Sequence, residues 1–252
     1  MKARQILVPL AAVVIFLVLW EALVWVMGWP NYKMASPSDL IPAYEKYWNL
    51  FLIMGWQTLW RTILGLVLAV IFGVALGMVM GFSRTMRDAL YPLLVGFNAV
   101  PKATVVPIVA LMFVGWHDFN TVLIAFMISF FPIAVSVSIG LSTLEPEYRD
   151  ILRSLGASQS QVFWKIALPK TLPEFFGALK VSVTLAFIGT NLMEIVSPHG
   201  RGLGALFDSG KTNSDYPLMF AVLIALAFLG IVLYYIVVAL EKVFAGWADR
   251  TV

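Results

Sequence analysis

The sequence predicts an all-α membrane protein, and two observations carry that reading. First, of 252 residues, 61% are hydrophobic and 12% are charged, where a soluble domain is about 45–50% apolar and about 25% charged. The mean hydropathy is +0.89. Second, the apolar residues collect in runs of the ~20 residues that a helix needs to cross a bilayer. Both a soluble globular enzyme and a disordered chain are excluded, the latter because it requires low hydrophobicity and high charge. There is no cysteine, which removes disulfides, thiolate metal sites and cysteine nucleophiles together. The two histidines, His117 and His199, lie far apart and outside any HExxH pattern, so neither a metal nor a cofactor is expected in this chain. No basic cluster points to nucleic acid.

Six segments have the length and apolarity of spans, namely 6–28, 57–82, 89–116, 119–141, 175–197 and 216–240. Glu21 interrupts the first and Lys102 the third, and the fifth carries Lys180 near its start and Glu194 near its end. Lys2 and Arg4 ahead of the first run suggest a signal peptide. The run is too long for one and lacks a small-x-small cleavage site before Gly28–Trp29–Pro30, so a retained anchor is expected. With both termini inside, the cytoplasmic pieces hold eleven basic residues: Lys2, Arg4, Arg84, Arg87, Arg149, Arg153, Lys165, Lys170, Lys180, Lys242 and Arg250. The outer pieces hold five, Lys33, Lys46, Arg61, Arg201 and Lys211. The positive-inside rule therefore favours N-in, C-in.

The connections differ in length. Residues 83–88 and 115–118 are expected as tight turns. Residues 29–56 form an outer segment with a short interfacial helix, whose Tyr44, Tyr47, Trp48 and Trp56 suit an aromatic belt. Residues 199–215 form a Gly-rich outer loop. The expected organisation is an anchor with its outer segment (1–56), a core (57–245) carrying a cytoplasmic insertion (142–174), and a tail (246–252).

The insertion reads as a small helical hairpin. Leu144, Tyr148, Ile151, Leu152 and Leu155 recur at helical spacing, with Glu147, Arg149, Asp150 and Arg153 on the other face. Ser142 with Glu145, and Ser158 with Gln161, have capping-box spacing. Gly156 ends the first helix, Val162, Phe163 and Ile166 line the second, and Pro169 is expected to stop it. A hairpin this small cannot bury its apolar stripe on itself. The lipid surface, the protein's own helix ends and another protein are all possible partners.

At this point the residues carry a resemblance. Gly156, then Ile166, then Leu168–Pro169 matches the loop signature EAA…G…I.LP of ABC importer permeases, and the run EYRDILRSLGASQSQVFWKIALPKTLPEFFGALK resembles that family throughout. Asp150–Ile151–Leu152 stands where Glu–Ala–Ala is usual; Asp150 keeps the charge, while Ile151 and Leu152 are larger. VPKATVVPIVALMFVGW and GRGLGALFDSG, the latter after Glu194, are similar to stretches of the nitrate, sulfonate, taurine and bicarbonate subfamily. The resemblance implies a type I ABC importer permease fold with six spans in a bacterial inner membrane. It implies a transport subunit rather than an enzyme, working with a second permease copy, a cytoplasmic ABC ATPase dimer and a periplasmic or lipid-anchored solute-binding protein. Tyr148, Asp150, Ile151, Leu152, Leu155, Gly156, Ile166, Leu168 and Pro169 would then couple to the ATPase. The implied cargo is a small anion such as a sulfonate, taurine, nitrate, bicarbonate or an aromatic carboxylate. The chain has no GxxxxGK[ST] loop, so ATP and Mg would bind the partner.

A few polar residues lie inside spans. An intramembrane charge costs at least ~2.5 kcal/mol at the bilayer centre on insertion scales. Lys102 is therefore expected to serve an anion pathway or to pair with Glu194 or Glu21. Asn98 and Asn191 suit interhelical hydrogen bonds or a pore lining. Gly73, Gly77 and Gly81 form a small-residue face for close helix approach. His117 is expected to be solvated in a turn. The competing functional class is a stand-alone secondary transporter, for which inverted repeats, broken helices and midplane ionisable groups are usual. An intramembrane enzyme finds no recognisable catalytic spacing.

Overall fold

The computed structural model describes residues 2–142, 154, 156, 158, 161, 163–197 and 200–247. Among these, all regular structure is helical. The helices are α1 (Lys2–Met27), α2 (Pro37–Phe82), α3 (Arg84–Ala99), α4 (Lys102–Met112), α5 (His117–Ser142), α6 (Leu168–Val196), α7 (Leu203–Thr212) and α8 (Tyr216–Phe244). A π-helical stretch, Phe163–Ala167, leads directly into α6. Four helices, α2, α5, α6 and α8, are long and apolar enough to cross a membrane. The α3–α4 pair makes a fifth candidate if counted as one bent span. An apolar helical stretch, Ala11–Met27, belongs to α1.

The centre of the bundle is α2, α5 and α6. Helices α2 and α5 run parallel, and a four-residue stripe of small residues on α2 sets their separation. A Cβ on Gly65 would lie 2.5 Å from Ala125 Cβ, on Gly73 3.0 Å from Ile133, on Gly77 2.7 Å from the Ala134 carbonyl, and on Gly81 2.8 Å from Leu141. Ala69 completes the stripe between Gly65 and Gly73, fully buried. Gly189 on α6 likewise approaches the Ala125 backbone. The glycine face read from the sequence is thus a helix-packing face, as small residues provide in membranes. Around it, α1, the start of α2, α7 and α8 share one apolar cluster at one end. Ala167, Phe176, Val237 and Ala245 share another toward the hairpin end.

Several expectations are corrected. The third span is not one straight helix: α3 and α4 meet at 86°. Val100, extended at ψ 125°, precedes Pro101, and a residue before proline is steered out of the helical region. The 199–215 loop contains α7. The outer segment is not separate from the second span, because α2 runs from Pro37 to Phe82 with a kink at Tyr47 (φ −112°, ψ 15°). Hydrogen bonds from Tyr44 Oη to the Ala221 carbonyl (2.7 Å) and from Tyr47 Oη to Asp215 (3.0 Å) hold the kinked part against α8. Pro169 does not stop a helix either. It sits in the first turn of α6, where a missing N–H is tolerated, and the π-helical stretch joins on without a break.

Candidate functional site

Three places bear on function: a buried charge cluster, the α3–α4 break, and the base of the 142–174 hairpin.

The cluster lies at the end of the bundle opposite the hairpin. Arg61 on α2 and Glu194 on α6 are 2% and 1% exposed. The Arg61 Nη1 donates to Glu194 Oε1 at 3.3 Å and also to the Arg201 carbonyl. Its Nε donates to Asp118 in the first turn of α5 at 2.8 Å, and the Asp118 side chain is 60% exposed. Glu194 also accepts from Thr58 Oγ1 at 2.8 Å and from the Gly204 N–H at 3.0 Å. Thr58 Oγ1 in turn accepts from the Leu203 N–H at 2.8 Å. The first N–H groups of α7, which no intrahelical carbonyl can satisfy, are therefore spent on a carboxylate and a hydroxyl. A carboxylate at a helix N-terminus is favourable.

This geometry explains Gly202–Leu203–Gly204. Gly202 lies at φ +124°, and a Cβ there would fall 2.1 Å from Glu194 Oε1. A Cβ on Gly204 would fall 2.7 Å from Glu194 Cβ. The backbone must come this close for the Gly204 N–H to reach the buried carboxylate. Beside the cluster, His117 Nδ1 and Ser197 Oγ are 2.9 Å apart and tie the start of α5 to the end of α6. His117 is thus half-buried and bonded rather than merely solvated.

Lys102 is placed differently from the expected ion pair. Its ammonium donates to the Phe97 carbonyl and lies 4.1 Å from the Phe97 ring centroid. Among the described residues it forms no ion pair. Glu194 is taken by Arg61, and Glu21 accepts from Ser38 N–H (3.0 Å) and Ser38 Oγ (2.8 Å) at the start of α2. The last turn of α3 ends in free carbonyls, and the ammonium finds one of them nearer than any carboxylate. Asn98 is exposed at the same break. Asn191 donates to the Phe187 carbonyl of its own helix at 2.7 Å, and its Oδ1 is buried without a partner. Neither asparagine makes an interhelical hydrogen bond among the described residues.

At the hairpin, Tyr148, Asp150, Ile151, Leu152 and Leu155 lie outside the described residues, as does Glu145 of the first capping box. Gly156 is described, at φ +81°, in the left-handed region that glycine reaches freely. The second capping box is formed: Ser158 N–H donates to Gln161 Oε1 at 2.9 Å, and Gln161 N–H to Ser158 Oγ at 3.3 Å. Ile166, Leu168 and Pro169 are half-buried around the buried Ala167, at the point where the hairpin joins the bundle.

Residues 69–246 match the family of binding-protein-dependent transport system inner membrane components. The chain belongs to that family. It is an ABC transporter permease and a multi-pass membrane protein. This permease is 30% identical to the formylaminopyrimidine transport permease ThiX of Halalkalibacterium halodurans, over 99% of both chains. It is 33% identical to the riboflavin transport system permease RibX of Chloroflexus aurantiacus, over 92% of this chain and 87% of that one. The taurine permease TauC of Escherichia coli is 26% identical over 97% of this chain and 91% of its own. A solved structure of the inward-facing MetNI methionine ABC transporter shares the fold, with a TM-score of 0.66 at 16% identity, covering 79% of this permease and 98% of that chain.

Sequence reasoning missed Arg61 in this permease. It was counted among the outer loop charges because the uncharged run begins at Thr62. The signal available was the Arg itself, four residues before Gly65 and on the face of the small-residue stripe. Removing it from the outer count leaves eleven basic residues against four.

Proposed function

We propose that this permease forms the translocation pathway of an ATP-driven importer. It works as one of two permease copies, driven by a cytoplasmic ABC ATPase dimer and supplied by an external solute-binding protein. It performs no chemistry; ATP and Mg belong to the ATPase. The observation that carries the reading is the family match over 69–246, which contains the hairpin with Gly156 and the Ile166, Leu168, Pro169 anchor. Tyr148, Ile151, Leu152 and Leu155 offer the apolar stripe to the ATPase, and Asp150 supplies a charge beside it. Six spans with both termini inside place the hairpin in the cytoplasm and the Arg61 cluster at the outer end.

In this reading, closure of the ATPase dimer moves the two hairpins together, and packed helices turn as rigid bodies between inward-open and outward-open states. The glycine-spaced α2–α5–α6 unit moves as one piece. Lys102 and Asn98, at the α3–α4 break, face the pathway. The cargo is a small solute, within the range that the relatives' names cover: a formylaminopyrimidine, riboflavin, taurine, nitrate.

The α3–α4 break favours a second reading, a secondary transporter, since broken helices are common in that class. The deciding experiment is uptake into vesicles containing the permease, with and without its co-expressed ATPase and binding protein. The importer reading expects uptake only with all components and ATP. Uptake by the permease alone, driven by an ion gradient, would establish the secondary transporter instead.

A further inference from the structure

Beyond the break, α4 runs past the start of α5 and the end of α6, and a cavity of about 460 Å³ opens between them. Pro107, Ala110, Val114 and Val196 supply apolar walls, and His117 with Ser197 supplies the polar edge. The volume lies within the ~300–1,000 Å³ of small-molecule sites, which pair apolar walls with a few placed polar groups. No lysine or arginine lines it. The nearby cations are engaged elsewhere: Arg61 with Asp118 and Glu194, Lys102 with the Phe97 carbonyl.

The polar edge offers one ring nitrogen, whose role follows from the His117 tautomer. When Ser197 Oγ donates to His117 Nδ1, the ring proton sits on Nε2, which becomes a donor. Among the described residues, Nε2 has no hydrogen-bond partner. In that tautomer one donor lines an apolar slot, which suits a flat molecule with an acceptor on its rim. It does not suit an oxyanion, which would lose its hydration for a single N–H.

We propose that this cavity is a recognition site for the transported solute, and that it takes a planar heteroaromatic molecule presenting an acceptor edge to His117. The proposal rests on the permease reading above and narrows its solute class from small solutes in general to heteroaromatics. The cavity lies on α4 beyond the break.

The test uses the full chain in lipid nanodiscs, with binding followed by ligand-observed saturation-transfer NMR. The probes are 4-amino-2-methylpyrimidine and lumichrome, with taurine and nitrate as comparisons; for nitrate, displacement of a heteroaromatic probe is read. Saturable binding of at least one heteroaromatic is expected, with neither binding of taurine nor displacement by nitrate. Ala110→Phe fills the slot while leaving the His117–Ser197 bond in place, and should abolish binding. His117→Phe keeps a ring and removes the donor, and should weaken binding about tenfold, as the loss of one hydrogen bond does. Both variants must elute as wild type in size-exclusion chromatography; for a variant that does not, Val196→Phe fills the slot from α6 instead.

Four results would overturn the proposal: no saturable heteroaromatic binding; heteroaromatic binding unchanged when the slot is filled; taurine or nitrate binding that filling abolishes; or a phospholipid, detected by native mass spectrometry, that filling removes and no heteroaromatic displaces. Each leaves ATP-driven uptake by the whole complex standing. Failure of that uptake with the cavity still binding would instead remove the importer reading.

Discussion

Arg61 joins four parts of the protein that are distant in sequence: α2, the first turn of α5, the end of α6, and the backbone before α7. Its two carboxylate partners are unequal. Glu194 is fully buried, and breaking a buried pair by removing one partner costs about 3–5 kcal/mol, because the other charge is stranded. Asp118 is mostly exposed, so water and the Asn amide oxygen can take its place beside Arg61. Arg61→Met should therefore sharply reduce the yield of folded permease, as should Glu194→Gln, whereas Asp118→Asn should be nearly silent; size-exclusion profiles of detergent extracts would read all three. Lys102→Met should fold normally, since no buried anion depends on it, and any defect should appear in uptake. A folding defect for Lys102→Met equal to that of Arg61→Met would contradict the placement of both charges. The sequence shows that Lys102 stands in an apolar run, but it hides that Arg61 is buried. That burial comes from the backbone before α7 folding back over α2, a non-local contact that a hydropathy window cannot sense.

At the scale of elements, what could be read depended on whether the cause was local. The glycine stripe was legible because its four-residue spacing is a property of one helix. The break at Val100–Pro101 was also local, since a residue before proline avoids the helical region, but the surrounding apolarity suggested one continuous span. Helix α7 was masked by its glycines, which serve the approach to Glu194 rather than a loose loop. The stripe gives a paired expectation. Gly77→Ala puts a methyl 2.7 Å from the Ala134 carbonyl and should destabilise by about 1–3 kcal/mol, as overpacking does. Gly177→Ala meets nothing within 4 Å and should be neutral or slightly stabilising, since alanine is the better helix former by about 1 kcal/mol. Thermal denaturation in one detergent, monitored by fluorescence, compares them directly; equal melting temperatures would argue that α2 and α5 are not in close contact.

Among the described residues the whole molecule is a tightly packed α2–α5–α6 unit with a bent α3–α4 pair beside it. Its class was legible from composition, and its family from the hairpin motif. The count of spans was less so: six runs are apolar in the sequence, whereas among the described residues four helices are long and apolar enough to span, five with the bent pair, because the apolar part of α1, Ala11–Met27, is short. The proposed topology expects a cytoplasm-only reporter to work after Val252 and a periplasm-only reporter to work within 199–215; a periplasmic C-terminus would contradict the six-span arrangement.

The central claim is that the hairpin couples this permease to an ATPase. Gly156 stands at φ +81°, where a β-branched residue is strongly disfavoured. Gly156→Val should therefore misdirect the second hairpin helix without touching the bundle. Leu152→Glu should bury an unpaired charge in the docking surface. The most direct measurement is ATP hydrolysis by the reconstituted complex, stimulated by the loaded binding protein, for wild type and both variants. The expected result is that both variants reach the membrane yet lose their ATPase or its stimulation. Wild-type stimulation and uptake in both would contradict the coupling role of the hairpin, and with it the account of how this permease is driven.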